Sequence, residues 1–274
     1  MAKNSNGLLG KLGIVKSPGA AVPHRKNTKD CATVDMPVPA KVTMVMQQHI
    51  GAPCTPTVKV GDEVFVGTIV GDSTAPFSAP IHSSVSGKVT KIDSILMQNG
   101  SKTQAVIIES DGQQTIDPSI KPPVINSDED LIKAAHDSGL VGLGGAGFPT
   151  HIKISPKPEV KATIDSLLIN AAECEPYLTP DVREILEDSE NVVDGMKMER
   201  PEQIIGGLKV ILQLFDNAKG IIGIENNKPE AIKLMTDLLA QVKVDGITFK
   251  VETLPSRYPQ GAEKVLIDQC TGRQ

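Results

Sequence analysis

Apolar and polar positions change rhythm near the middle of the chain. Between residues 41 and 112, Val58, Val60, Val64 and Val66 recur at spacings of two and four, with Gly61, Asp62, Gly67, Gly71 and Asp72 as punctuation. A period of two broken by Gly and Asp predicts short strands and tight turns. The segment SAPIHSSVSGKVTKI repeats the theme, and AVIIES runs into a turn at Asp111 and Gly112. Residues 41–112 therefore read as a small all-β domain. Residues 1–40, rich in Pro, Lys and Asn and without a sustained period, read as an extended lead-in. Residues 113–127 carry Pro118, Pro122 and Pro123 and read as a linker.

Beyond the linker the period lengthens. Ser127 precedes Asp128, Glu129 and Asp130, a cap and an acidic first turn that suit a helix start. SLLINAAE reads as a buried strand running into a loop, GIIGIE as a short apolar strand, and ITFKVETL alternates like a strand. TPDVREILEDSENVVDGMKM, ERPEQIIGGLKVILQLF and KPEAIKLMTDLLAQVK read as helices. In the last of these, Ile232, Met235, Leu238, Leu239 and Val242 share one face. GAEKVLIDQC opens a final helix. Strands alternating with helices over 128–274 predict an α/β domain with a largely parallel sheet.

Composition narrows the class. An apolar fraction of 39% supports a packed core, and a net charge of −5 gives no footprint for nucleic acid. No apolar run reaches the ~18 residues that a membrane span needs. The apolar stretch near the start is interrupted by Lys11 and reads as a tail rather than a signal peptide. Cys31, Cys54, Cys174 and Cys270 have no iron–sulfur or zinc spacing, and a reduced, intracellular setting is the expectation. His24, His49, His82, His136 and His151 form no ligand pair. No metal site is expected.

The candidate chemistry gathers in GLVGLGGAGFPTHIK, Gly139 to Lys153. Clustered glycines permit positive φ and close backbone approach. Their N–H groups can then cradle a phosphate or the polar edge of a flavin. Gly142, Gly144, Gly145 and Gly147 are the candidate amide donors, Lys153 a countercharge and Phe148 a stacking face. The GxGxxG within this loop follows a helix rather than a strand, which is the wrong context for a dinucleotide fingerprint. Taken alone, Lys153 is more often a surface lysine than a phosphate ligand, Phe148 also reads as core, and Tyr258 also reads as a packed turn. The triplet Met196-Lys197-Met198 has the form that surrounds a biotinylated lysine, but it falls in the helical half. The β domain has no lysine between Gly71 and Pro80, where a carrier hairpin would need one, and so reads as a docking or structural element.

GLGGAGFPTHIK resembles the flavin loop of the NADH-oxidising flavoprotein subunit of respiratory complex I, whose pattern is GxGGAGFPxxxK. NAAECEP, Asn170 to Pro176, and YPQGAEK, Tyr258 to Lys264, resemble that family's second and third flavin segments, in the same order. VKVGDEVFVG followed by SAPIHSSVSGKV resembles a biotinyl/lipoyl-like barrel-sandwich domain. With QHIGAPC and VPHRKNT, the whole is similar to the C subunit of the Rnf electron-transport complex.

The resemblance implies a Rossmann-like α/β flavin domain preceded by a barrel-sandwich domain. It implies a subunit of a membrane-bound, ion-translocating ferredoxin:NAD oxidoreductase that binds FMN and exchanges a hydride with NADH. FMN contacts would come from Gly142, Gly144, Gly145, Gly147, Lys153, Asn170, Glu173, Tyr258 and Gly261. NADH contacts would come from Phe148, Glu175 and Glu263. No side chain acts as a nucleophile. The partners implied are the other Rnf subunits, at the cytoplasmic face of the membrane, with this chain peripheral. The family's CxxCxxCxxxCP runs, which hold 4Fe–4S clusters, are absent from these 274 residues, and the chain reads as cut short ahead of them. Ala172 and Ala262 stand where the complex I relatives carry acidic residues. A cobalamin-reductase-like flavoprotein and a non-catalytic docking module are the rival readings.

Overall fold

The computed structural model describes residues 19–143, 145–187, 207–215, 218–241 and 248–273. They form two compact units. One is Asp35–Pro158; the other is Glu159–Gln274 together with the segment up to Val34. These units cut the chain elsewhere than the sequence boundaries do, because the glycine-loop region joins the β-rich unit and the lead-in joins the α/β unit.

The β-rich unit holds seven strands. Four of them, β1 (Lys41–Val45), β3 (Glu63–Val64), β6 (Gly87–Leu96) and β7 (Lys102–Ser110), make an antiparallel sheet in the order β1-β7-β6-β3. The other three, β2 (Thr55–Pro56), β4 (Ile69–Asp72) and β5 (Ile81–His82), pair in the order β2-β4-β5. One apolar cluster draws on both sheets: Val64, Val89, Val106 and Ile108 from the first, Val70 and Ile81 from the second, with Met46 between. Burying a Val or Ile completely is worth about 1.5–3 kcal/mol each, so this shared core holds the sandwich closed. The valine alternation is interrupted at Gly61–Asp62. Only Val64 of the four lies in a strand; Val58 packs on the core from a loop, and Val60 is 60% exposed. At Gly87 the strands come so close that a Cβ would lie 2.0 Å from the Glu109 carbonyl oxygen.

Two helices complete this unit. In α1 (Asp128–Asp137), Ser127 caps the N-terminus by accepting the Asp130 N–H, as the sequence predicts. The one-turn helix α2 (Thr150–Lys153) packs on it, with His136 and His151 edge to face at 4.7 Å. A further turn, α3 (Pro158–Lys161), follows.

Among the described residues the α/β unit holds three parallel strands, β8 (Ser166–Ala171), β9 (Lys219–Glu225) and β10 (Phe249–Leu254), in the order β10-β9-β8. Helices α4 (Pro180–Leu186), α5 (Pro229–Gln241) and α6 (Glu263–Thr271) accompany them, and residues 207–212 are helical. Central strand β9 is buried along nearly its whole length, the signature of a sheet covered on both faces. Its two glycines explain how the layers approach. A Cβ at Gly220 would meet Phe249, Leu208 and Leu212; one at Gly223 would meet Leu254, Leu266 and Cys270. Residues three apart on a strand face opposite sides, so the 207–212 helix and α6 flank the sheet on different faces. The Met196–Met198 triplet and Val242 lie outside the described residues.

From Gly19 to Val34 the lead-in has no helix or strand and turns at Lys26–Cys31, and it is bonded to the rest of the α/β unit. Ala20 and Tyr258 exchange both backbone hydrogen bonds, at 2.7 and 2.9 Å, and the Arg25 N–H donates to the Pro176 carbonyl at 2.8 Å.

Candidate flavin site

Within the β-rich unit, the glycine loop closes as a small antiparallel turn. Val141 bridges Pro149, the Gly142 N–H donates to the Phe148 carbonyl at 2.8 Å, and the Thr150 N–H donates to the Leu140 carbonyl at 2.9 Å. Gly145 and Gly147 have φ of +100° and +59°, which a side chain rarely tolerates. Among the described residues, the amides of Gly145, Ala146, Gly147 and Phe148 donate to no protein acceptor. Successive free amides on a turn with positive φ make an anion-binding concavity. This donor set fits a phosphate or the polar edge of a flavin. Gly144 lies outside the described residues.

The loop rests on the turn after β1. A Cβ at Gly147 would lie 2.7 Å from the Gln48 carbonyl oxygen, and the Ile50 N–H donates to the Gly147 carbonyl at 3.1 Å. That turn is fixed by buried His49, whose Nε2 accepts the Ala79 N–H at 3.2 Å; its Nδ1, 3.1 Å from the Ile50 carbonyl, therefore carries the proton. Cys54 lies 3.6 Å from the same Nε2, and burial pushes its thiol up to about 11. A cleft of about 120 Å³ beside the loop is lined by His49, His82, Gly139 and Val141 among others. Burial holds the His82 imidazole below its ordinary value. Phe148 is half-buried and meets the edge of Phe77, 6.1 Å between ring centres. Lys153 is exposed at the end of α2.

In the α/β unit, the segments NAAECEP and YPQGAEK come together at the C-terminal end of β8. The Asn170 amide donates to the Gly261 carbonyl at 2.9 Å and accepts the Ala172 N–H at 3.2 Å. The Gly261 N–H points at the Cys174 sulfur, 3.4 Å away. A Cβ at Gly261 would lie 2.8 Å from the Ala172 carbonyl oxygen, so only glycine lets the segments touch. The end of parallel strands is where open α/β sheets present ligand-binding loops.

The acids differ in their surroundings. Glu175 and Glu263 are exposed, and Glu263 opens α6, where its charge also suits the helix dipole. Tyr258 is 43% exposed. Glu173 is 1% exposed. Its carboxylate accepts the Asp181 N–H at 2.8 Å and lies 3.4 Å from Lys26 Nζ and 4.0 Å from Lys228 Nζ. Lys228 in turn pairs with buried Glu225 at 2.7 Å. Burial pushes the Glu173 carboxyl upward against the pull of Lys26 and Lys228. Sequence reasoning missed Lys26, Lys228 and Glu225; the lead-in lysine is 147 residues from Glu173, and no spacing signals such a pair.

Residues 16–113 match the RnfC barrel sandwich hybrid domain, and residues 135–199 and 196–274 match the Nuo51 FMN-binding domain. The C subunit of the Na(+)-translocating ferredoxin:NAD(+) oxidoreductase complex of Acetobacterium woodii is 41% identical over 266 residues, covering 93% of this chain and 55% of that protein. Its counterpart in the proton-translocating ferredoxin:NAD(+) oxidoreductase complex of Clostridium ljungdahlii is 40% identical, covering 87% of this chain and 49% of that protein. The C subunit of the ion-translocating oxidoreductase complex of Rhodobacter capsulatus is 33% identical over 92% of this chain and 46% of its own length. The chain thus spans about half the length of these relatives. It belongs to the Nuo51 FMN-binding domain family and, with the RnfC barrel sandwich hybrid domain ahead of that domain, to the RnfC family of ion-translocating oxidoreductase complexes.

Proposed function

We propose that this chain binds FMN and serves as the NADH-linked electron-transfer part of a membrane-bound ferredoxin:NAD oxidoreductase. The carrying observation is the row of free amides from Gly145 to Phe148, inside the region that matches an FMN-binding domain. When bound, FMN would supply the hydride chemistry, taking a hydride from NADH or returning one to NAD. The chain's own residues would bind and orient. The glycine-loop amides suit the phosphate-bearing end, and exposed Lys153 adds positive charge on the adjoining helix. Within the α/β unit, Asn170 and Gly261, both candidate FMN contacts, form a clamp that holds the second and third segments together. In the α/β unit, Glu175 and Glu263 keep exposed surface for NADH and Tyr258 for FMN; in the β-rich unit, Phe148 keeps half-buried surface for NADH. Glu173 contributes through its buried ion pairs, as a support of the turn rather than a solvent-facing ligand.

The sequential order of parallel strands, with helices on both faces, supports a Rossmann-like reading of the α/β unit. Among the described residues no helix is long and apolar enough to cross a membrane. A place among the other subunits of such a complex accords with the relatives' names, and the proposal sets the chain peripherally at the cytoplasmic face.

An FMN titration of the purified chain, followed by flavin fluorescence, tests the reading. One-to-one saturable binding, lost in Lys153→Glu and followed by bleaching on NADH addition, is expected. A well-folded chain that takes up no FMN would overturn it and leave the barrel-sandwich domain's docking as the better account.

A further inference from the structure

One ammonium group sits where three carbonyls of the Glu173–Leu178 turn converge. Lys26 Nζ donates to the Glu173 carbonyl at 2.9 Å, the Glu175 carbonyl at 3.2 Å and the Leu178 carbonyl at 2.5 Å, and it lies 3.4 Å from the Glu173 carboxylate. The Lys26 side chain is 9% exposed. A lysine ammonium has three donors, and here all are taken by one turn. Carbonyl dipoles aimed at a common point repel one another unless a cation holds them. The turn carrying Glu173 and Glu175 thus has an internal cation supplied from the lead-in.

The contact is part of a longer seam. The Thr28 and Thr179 hydroxyls are 2.6 Å apart, Arg183 Nη1 donates to the Lys29 carbonyl at 3.3 Å, and the Thr33 N–H donates to Glu187 at 2.8 Å. Upstream, the paired Ala20–Tyr258 backbone bonds reach the third segment, and a Cβ at Gly19 would lie 2.7 Å from the Tyr258 carbonyl oxygen. One stretch, residues 19–33, therefore ties together both segments that Asn170 and Gly261 clamp on their other side.

We propose that residues 19–33 form a strap for the nucleotide site and that Lys26 is its positioning residue, setting the geometry of the Glu173–Leu178 turn without touching the nucleotide. The inference rests on the FMN-binding reading above. Misplacing binding groups by about an ångström costs up to ~100-fold in a positioned reaction. Loss of the strap therefore reads out in the site even when the sheet is intact.

The experiment compares the full chain with K26M, K26R and the double variant K26M/E173Q, by FMN titration and by amide hydrogen exchange at Leu178 and Asp181. K26M is expected to exchange faster at both amides and to bind FMN about tenfold more weakly, with K26R restoring part of each. K26M leaves buried Glu173 short of a cation and is liable to lose cooperative unfolding for that reason alone; K26M/E173Q removes the uncompensated charge. Weak FMN binding by the folded double variant supports a positioning role. FMN binding at the unsubstituted level in a folded variant, with or without faster exchange, overturns it while leaving the FMN reading standing. Failure of the unsubstituted chain to bind FMN overturns that reading itself, and the positioning role falls with it.

Discussion

Gly261 stands between two peptide segments with no space for a methyl group, since a Cβ would sit 2.8 Å from the Ala172 carbonyl oxygen. Gly261→Ala must therefore push the YPQGAEK segment off β8, straining the Asn170 bond to the Gly261 carbonyl and the Gly261 N–H contact with Cys174. The expected cost is about 1–3 kcal/mol of stability, the range for an overpacked site. FMN affinity should fall with it, and denaturant unfolding beside an FMN titration checks both. An alanine variant as stable as the parent, with full affinity, would contradict this account of the clamp. The contrast with Gly145 is instructive. A Cβ there meets nothing within 4 Å, so its need for glycine comes from φ of +100° alone. The sequence marks both as glycines in motifs but cannot tell a steric requirement from a conformational one. Likewise it makes Glu173 a candidate ligand by position, whereas its burial depends on Lys26 and Lys228, which come from distant elements. Phe148 looks free in the motif, and only the fold brings Phe77 against it.

Elements were legible where a period runs long enough to declare itself. The repeat in KPEAIKLMTDLLAQVK became α5, with Met235 and Leu239 buried, and GIIGIE became the central buried strand β9. Ser127 and the acidic turn behind it gave the start of α1. The strap has no period, because it is held by backbone pairing and single side chains rather than by an apolar face, so it read only as a lead-in. Its far end is anchored on Glu187, the residue that caps α4. Glu187 accepts the Thr33 N–H and bonds Arg183, and contacts with Thr33 and then Arg183 hold its carboxyl down to about 2, against an ordinary 4.5. A carboxyl depressed in the folded state stabilises fully above its unfolded value and loses that contribution as pH falls through the folded one. The stability gap between the parent and Glu187→Gln should therefore be widest near pH 6 and close as pH is lowered from about 4.5 toward 2. Urea midpoints of both proteins across that range provide the check. A gap that does not change with pH would mean that the ionised carboxylate adds nothing to the anchor.

At the scale of the molecule, order along the chain and membership of a compact unit part company. Residues up to Val34 precede the β-rich unit in sequence but belong with Glu159–Gln274, the last part of the chain. Each unit carries its own apolar core, one around Met46, Val89 and Ile108 and one around Ile221, Leu254 and Leu266. A core made of a unit's own residues keeps its protection when a distant segment is lost, whereas a unit that loses bonded backbone opens locally. Deleting residues 1–34 should therefore act selectively. It removes the partners of the Tyr258 backbone bonds and the cation beside Glu173, leaving a buried carboxylate with weaker compensation. Hydrogen exchange in the deletion variant should speed up across 170–181 and 257–262 and remain unchanged along the β6–β7 ladder, whose bonds among the described residues involve none before Lys41 except the Ser110 N–H to the Ala40 carbonyl. Equal acceleration in the ladder would mean that the lead-in supports the β-rich core as well. Unchanged exchange at 170–181 would mean that the strap's bonds carry no weight in holding the second segment. The selective pattern would make the beginning of the chain an integral part of the unit that closes it.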